Sequence, residues 1–303
     1  MDEKLLRDVF GYSNEKITII YDVPTKSDND DWKWRRNLAK RWADKLNAEL
    51  ISYNATYANN ADIPNIDLSN TDIVIALTEF SATAPLKHLA KKHKFRAASM
   101  PGFNKKMMPA LELDFSLIRK KVDVAYKSLQ KEHHKINFFV DNEKYSLHLD
   151  LKNRKPIKDD GYCKKKGTVI NLPTGEAFIA PNDLPTSKSN GVLPIQINNK
   201  VNFYKVEHNK IISAKYEDDL IKKIREDPAV GNIAEFGIGV LSDFGIKPCG
   251  KTLLDEKLGI HIALGRNDHF GGSISPDKFR KKENVWHQDY VYIKEMQPKI
   301  KIS

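Results

Sequence analysis

The sequence has few cysteines and no long hydrophobic run. Its only cysteines are Cys163 and Cys249, among 303 residues. They lack the paired spacing of a zinc ribbon or a redox motif, so we expect reduced thiols and a cytoplasmic protein. The longest apolar stretches, such as ITII and IVIAL, are far too short to cross a bilayer, and MDEKLLRDVF has no apolar signal core. We therefore expect no membrane partner.

Acidic residues are the minority of the charged residues. There are 40 Asp and Glu against 50 Lys and Arg, which gives a formal net charge of +10. Such an excess raises the question of a nucleic-acid partner. The basic clusters, such as Lys164-Lys165-Lys166, lie beside helical or turn patterns and are not interleaved with aromatic residues. A solvated, lysine-rich surface explains them better, so we do not expect nucleic acid to bind.

The first half of the chain alternates between strand and helix patterns. Apolar, β-branched segments predict strands, and a four-residue apolar spacing after Asp30 or Asp31, the expected N-cap, predicts a helix. The predicted strands cover 17–21, 48–53, 71–77 and 95–100, and further helices cover 85–94 and 116–134. This alternation predicts βα units around a largely parallel sheet.

The second half is richer in strand patterns. Segment 135–151 alternates as a hairpin with its turn at Asp141-Asn142, and segment 154–167 has no periodicity. We therefore predict an α/β protein with two domains. An N-terminal domain of βα units (1–160) has the largely parallel sheet, and a β-rich α+β domain (161–303) binds metal.

A histidine and an aspartate lie two residues apart in the strand pattern VWHQDYVY. Side chains two apart on a strand point to the same face, so His287 and Asp289 can present a nitrogen and an oxygen to one ion. Taken alone, this pair is weak evidence, because the polar side of a half-exposed strand has the same pattern.

Other polar residues in apolar surroundings strengthen the case. His261 lies in GIHIALG and Glu235 in IAEFGIGV, where a buried polar group needs a partner. Glu176 follows a turn and opens a strand, and Glu256 precedes His261 by five residues, with Gly259 between them permitting a bend. Several carboxylates and two histidines are the inventory of a dinuclear metal site, in which Glu176 or Glu235 could bridge the ions.

Four ordered segments together resemble a known family. PTGEAFIAP, AEFGIG, DEKxxxHIALG and the closing His-X-Asp, with MPGFNKKM at 100–107, resemble the thermophilic metalloaminopeptidases of the aminopeptidase T and aminopeptidase S type, which are leucyl aminopeptidase-like. The N-terminal half resembles them only loosely. The resemblance implies a homodimeric hydrolase that removes the N-terminal residue of a peptide substrate, using two divalent metal ions (zinc, cobalt or manganese). The implied metal ligands are Glu176, Glu235, His261, His287 and Asp289.

The resemblance leaves the roles of two residues open. Glu256, from the DEK motif, would be a further ligand or an acid/base beside the metals. The aminopeptidases usually place a tyrosine after HIALG, whereas this sequence continues RNDHFGGSISP. His269 is therefore either a replacement catalytic group or an ordinary loop residue.

The same fold is also similar to that of a family with a different chemistry. The 2,5-dihydroxypyridine dioxygenases are similar to this family and bind one Fe(II) through two histidines and a carboxylate, which here would be His261, His287 and Asp289. The additional glutamates favour two metals over one. A third alternative is a non-catalytic, peptide-binding relative in a biosynthetic pathway, against which the intact ligand set argues.

Overall fold

The computed structural model describes residues 1–26, 28–64 and 66–303. Its α-helices are α1 (Glu3–Phe10), α2 (Asp30–Leu46), α3 (Thr83–His93), α4 (Met108–Leu111), α5 (Phe115–Ser128), α6 (Asp219–Glu226) and α7 (Thr252–Asp255). Its strands are β1 (Ile17–Val23), β2 (Glu49–Asn54), β3 (Ile73–Leu77), β4 (Arg96–Ser99), β5 (His133–Val140), β6 (Glu143–Asp150), β7 (Ile157–Asp159), β8 (Val169–Asn171), β9 (Glu176–Ile179), β10 (Asn190–Ile197), β11 (Lys200–Glu207), β12 (Lys210–Ala214), β13 (Ile233–Gly239), β14 (Ile260–Gly265), β15 (His287–Val291) and β16 (Lys301–Ile302).

The chain divides into two compact units that are not continuous in sequence. The first comprises Met1–Arg119, Asp159–Gly175 and Cys249–Leu254, and the second comprises Lys120–Lys158, Glu176–Pro248 and Asp255–Ser303. The units therefore differ from the predicted segments 1–160 and 161–303. The difference arises because β8 pairs with β4 in the first unit, whereas the β5–β6 hairpin pairs with β10 in the second.

The first unit is built on a parallel sheet, as predicted. Its strand order is β2-β1-β3-β4-β8, and each neighbouring pair is parallel. Every residue of β3 is buried, in accordance with the continuous apolar run IVIAL, because the central strand of a parallel sheet is covered on both faces.

Two predicted helix boundaries are wrong. Helix α2 is capped by Asn29, whose side chain accepts a hydrogen bond from the Trp32 amide at 3.0 Å, and not by Asp30 or Asp31. Helix α5 ends at Ser128 although helical periodicity continues to 134, because His133 already begins strand β5. Long-range strand pairing outweighs local helix propensity there.

The second unit contains two mainly antiparallel sheets. One has the order β12-β11-β10-β6-β5-β16 and includes the predicted hairpin, whose turn residues Asp141 and Asn142 have φ of 50° and 66°. The other, which we call the site sheet, has the order β15-β14-β13-β9-β7. On one face of the site sheet, Phe236 and Ile262 are fully buried, so the alternate residues of the same strands form the opposite face. Among the described residues, no helix has both the length and the apolar character needed to cross a membrane.

Candidate metal centre

The strand register of the site sheet brings polar residues from four strands to one face. His261 on β14 lies opposite Gly237 on β13, and Ala263 lies opposite both Glu235 and Asp289. The small residues between the polar ones leave room above the sheet. A Cβ at Gly237 would lie 2.0 Å from His261 Nε2, so the glycine of AEFGIG is required by the imidazole that covers it.

Both histidines are oriented by hydrogen bonds from their outer ring nitrogen. Nδ1 of His261 donates to the carbonyl of Gly259 at 3.2 Å, and Nδ1 of His287 donates to the carbonyl of Arg266 at 2.8 Å. Each ring therefore presents Nε2 to the face of the sheet. Backbone partners that fix the tautomer and the orientation in this way are typical of metal-binding histidines.

The candidate ligands form two compact groups that share Glu235. One contains Glu176, Glu235 and His261, and the other contains Glu235, His287 and Asp289, with all ligand atoms of each group within 4.8 Å of one another. Glu235 is central because Oε1 lies 3.3 Å from His261 Nε2 and Oε2 lies 3.3 Å from His287 Nε2.

The donor set fits a bound cation. Glu176 Oε2 lies 3.4 Å from His261 Nε2, and Asp289 Oδ1 lies 3.5 Å from His287 Nε2. Asp289 Oδ1 is buried and has no hydrogen-bond partner among the described residues. A buried carboxylate oxygen of this kind is costly unless something positive satisfies it. The structure thus brings together all five residues that the sequence analysis named as ligands.

The electrostatic field at this face favours positive charge. Burial alone would lower the pKa of His261, but the hydrogen bond to Glu235 and the negative charges of Glu176, Glu235 and Asp289 raise that pKa to about 10. Burial would lower the pKa of His287, but the nearby carboxylates of Asp289 and Glu235 raise it well above its ordinary value. Conversely, burial would raise the pKa of Glu235, but the two imidazoles hold it well below its ordinary value.

A buried lysine that the sequence analysis missed also belongs to this face. Nζ of Lys257 donates to Glu176 Oε1 at 2.7 Å and to Glu256 Oε1 at 2.8 Å, and the side chain is 1% exposed. Lys257 lies in the 3-10 turn Glu256–Leu258, which precedes β14 and brings Glu256 to the site. Lys257 is the lysine of the DEK motif, in which the sequence analysis singled out only the glutamate.

Glu256 is held by Lys257 at the edge of the ligand groups. Burial raises its pKa, the Lys257 charge lowers it, and the charges of Glu176 and Asp289 raise it, so that the pKa of Glu256 lies at about 8. A large fraction of this carboxyl is therefore protonated at neutral pH. The structure places Glu256 beside Glu176, the position in which either of its expected roles could operate.

His269 lies beside the second ligand group, with two phenylalanines. Its ring centroid is 5.7 Å from that of His287, and the ring of Phe270 is 5.6 Å from those of His287 and Phe178. We call Phe178, His269 and Phe270 the aromatic rim. Burial and the positive charges of His287 and Arg266 lower the pKa of His269 to about 4, so its imidazole is neutral at pH 7. The sequence analysis did not single out the two phenylalanines, of which Phe178 lies in β9 and Phe270 in the turn Asp268–Phe270.

The segment that carries His269 is anchored by Asn267. Its amide donates to Asp183 Oδ2 at 2.9 Å, and its Oδ1 accepts from the backbone amide of Ile274 at 2.9 Å. A Cβ at Gly272 would lie 1.9 Å from Asn267 Cγ, so the glycine gives the buried amide its space. This anchoring holds the half-exposed His269 next to His287.

Comparison with known proteins identifies a structural relative over nearly the whole chain. The 2,5-dihydroxypyridine dioxygenase from Pseudomonas putida KT2440 superimposes with a TM-score of 0.64 at 16% sequence identity, over 99% of this chain and 90% of that protein. No protein-family model matches the sequence, and no curated protein matches it. At this identity, the similarity defines the fold that the two chains share.

This match corrects the functional prediction from the sequence. The assignment to the thermophilic metalloaminopeptidases is wrong, and so are the hydrolase and protease classes that it implied, because the whole-chain similarity is to a dioxygenase and neither sequence comparison supports an aminopeptidase. The four ordered segments of the second half build the site sheet and its polar face. They describe a face of this fold that carries candidate metal ligands, and such a face does not by itself specify the reaction.

Proposed function

We propose that this protein is a ring-cleaving dioxygenase that uses one Fe(II) ion bound by His261, His287 and Asp289. The observation that carries the proposal is that Glu235 joins two compact ligand groups, one with His261 and one with His287 and Asp289, and that its oxygens lie 3.3 Å from both Nε2 atoms beside the aromatic rim. Two histidines and one carboxylate are the ligands of many non-haem Fe(II) oxygenases. The fold shared with the 2,5-dihydroxypyridine dioxygenase supports the same proposal.

The charges of the buried face balance with a single divalent ion. Glu235 and Asp289 carry two negative charges that a divalent cation neutralises. Lys257 pairs with both Glu176 and Glu256, and burial raises the pKa of Glu256, which favours its uncharged form. Since uncompensated buried charge is strongly unfavourable, a single divalent ion together with Lys257 gives each acidic group named here a positive partner. The abundance of carboxylates, which suggested two metals from the sequence, is therefore explained by Lys257.

The residues around the ligands suit a planar, hydroxylated ring. Bound Fe(II) supplies the activation of dioxygen. Phe178 and Phe270 offer ring faces and edges for packing against an aromatic substrate. His269 is neutral, so its imidazole can accept a hydrogen bond from a ring hydroxyl at the exposed side of the site. Glu235, whose two oxygens lie 3.3 Å from the two Nε2 atoms, places a further negative charge where the ion would bind.

Oxygen consumption tests this function directly. Protein purified without oxygen and loaded with Fe(II) would be mixed with dihydroxypyridines and dihydroxybenzenes in an oxygen-electrode cell. We expect uptake of one dioxygen per ring, together with loss of the ring absorbance, and no uptake by Zn(II)-loaded protein. Absence of uptake over the whole panel, with one Fe(II) bound per chain, would overturn the proposal.

The homodimer expected from the sequence stays a prediction. Light scattering on the purified protein measures the mass of the assembly against 34.6 kDa for one chain.

A further inference from the structure

We propose that the ammonium group of Lys257 limits this centre to a single metal ion, because it supplies the positive charge that a second metal ion would bring to Glu176 and Glu256. The inference rests on the proposed one-metal function. It assigns a role to a residue that is not itself a ligand, and it explains why a face with two compact ligand groups holds one cation.

The two oxygens of Glu176 lie in different environments. Oε2 lies 3.4 Å from His261 Nε2 and belongs to the first ligand group, whereas Oε1 accepts a hydrogen bond from Lys257 Nζ at 2.7 Å. A cation held by Glu176, Glu235 and His261 would share one small carboxylate with the ammonium. Two positive charges a few ångströms apart in a buried environment repel each other strongly. The second group, with Glu235, His287 and Asp289, does not include Glu176, so a cation there shares no carboxylate with the ammonium. His261 adjoins that group through Glu235 Oε1, which lies 3.3 Å from its Nε2, so it remains available as the third proposed ligand.

Lys257 is held in this position by packing. Its side chain is 1% exposed, and its main chain lies against β13, where a Cβ at Gly239 would be 2.2 Å from the Lys257 carbonyl carbon. Gly239 also donates its backbone N–H to the carbonyl of Gly259 at 2.9 Å. The backbone of the lysine is therefore packed against β13, and its buried ammonium is held by the ion pairs with Glu176 and Glu256.

Glu256 completes the arrangement by accepting the second hydrogen bond of the ammonium, at 2.8 Å. The ammonium therefore bridges two carboxyl groups, as a second metal ion would. Replacing it with a neutral side chain leaves a buried pair of acids next to His261 and Glu235. That set has the oxygen and nitrogen donors that a divalent ion binds.

The experiment measures metal stoichiometry, not turnover. Metal-free wild type and Lys257→Gln would be titrated with Mn(II), with bound metal counted by elemental analysis and ion pairing detected by electron paramagnetic resonance. We expect the wild type to bind one Mn(II) with an isolated-ion spectrum, and Lys257→Gln to bind two with a spin-coupled spectrum. Lys257→Arg, which keeps the positive charge, should bind one.

Two further variants control the experiment. Lys251→Gln removes a lysine that pairs with Glu79 at 3.3 Å in the first unit, and it should leave the stoichiometry at one. If Lys257→Gln does not fold, as judged by circular dichroism, the double variant Glu256→Gln/Lys257→Gln removes one buried acid with the lysine and is scored in the same way.

Either of two results overturns the inference: a wild type that binds two coupled Mn(II) ions, or a folded Lys257 variant without the positive charge that still binds one. Both are independent of oxygen uptake. An enzyme that consumes oxygen with two metals bound would refute the role of Lys257 and leave the function standing. A protein that binds one metal and consumes no oxygen would refute the dioxygenase function and leave the role of Lys257 standing.

Discussion

Replacement of Gly237 by alanine is expected to displace His261 from the metal centre. The two residues face each other on β13 and β14, and the imidazole lies over the glycine. A methyl group at this position would lie 2.0 Å from Nε2 and 2.1 Å from Cε1, whereas ordinary van der Waals contact begins at 3.4 Å. The ring must therefore shift by about 1.4 Å. Strand β13 cannot move away instead, because it is paired with β14 on one side and with β9 on the other.

That displacement is large on the scale of metal coordination. Metal–ligand distances vary by only about 0.2 Å around their preferred values, so the shifted Nε2 can no longer bind in the same geometry. Loss of a group that merely orients a ligand weakens metal affinity by about 10- to 100-fold. We therefore expect Gly237→Ala to weaken affinity by at least about 100-fold. Competition titration of the metal-free protein against a chromophoric chelator, with Zn(II) or with anaerobic Fe(II), measures this ratio.

Gly245→Ala is a suitable control for Gly237→Ala, because it makes the same substitution away from the site. Gly245 has no atom within 4 Å of its hypothetical Cβ but adopts a φ of +78°, so alanine there costs backbone strain without touching the site. Its metal affinity should equal that of the wild type. Wild-type affinity in folded Gly237→Ala would show that His261 does not bind the metal, and the proposed ligand set would fail.

Three other predictions follow from the same face. His287→Ala and Asp289→Ala should each abolish metal retention while circular dichroism stays unchanged; full metal content in both would make the pair structural. Phe270→Ala should raise the substrate KM of the Fe(II)-loaded enzyme by about 10-fold or more, because it removes a ring contact, while metal content stays constant; an unchanged KM would remove the rim from the substrate site. Metal-free protein should lose thermal stability as pH rises, because folding raises the pKa of His261 from 6.5 to about 10. The protonated imidazole contributes its full stabilisation below pH 6.5, and that contribution is lost as the pH rises through 10. Melting curves from pH 6 to pH 10 test this, and a stability that rises over the range would contradict it.

The sequence was sufficient to predict those features of the structure that depend on local periodicity. Two-residue alternation placed His287 and Asp289 on one face of β15, and the run IVIAL indicated a buried parallel strand. It was insufficient where partners are distant in the chain. The ion pair between Lys257 and Glu176 joins residues 81 positions apart, and no local pattern indicates which acid a buried lysine will meet.

The number of metal ions is likewise hard to predict from the sequence. Candidate ligands can be counted from a sequence, because each is a residue type in a recognisable context. The number of metal ions depends instead on the balance of buried charge, and here one ammonium group alters that balance by neutralising Glu176 and donating to Glu256. If Lys257 were neutral, the same acids and histidines would favour two divalent ions. On a polar face of this kind, the sum of buried charges, with the lysine included, is therefore a better guide to metal number than the count of carboxylates.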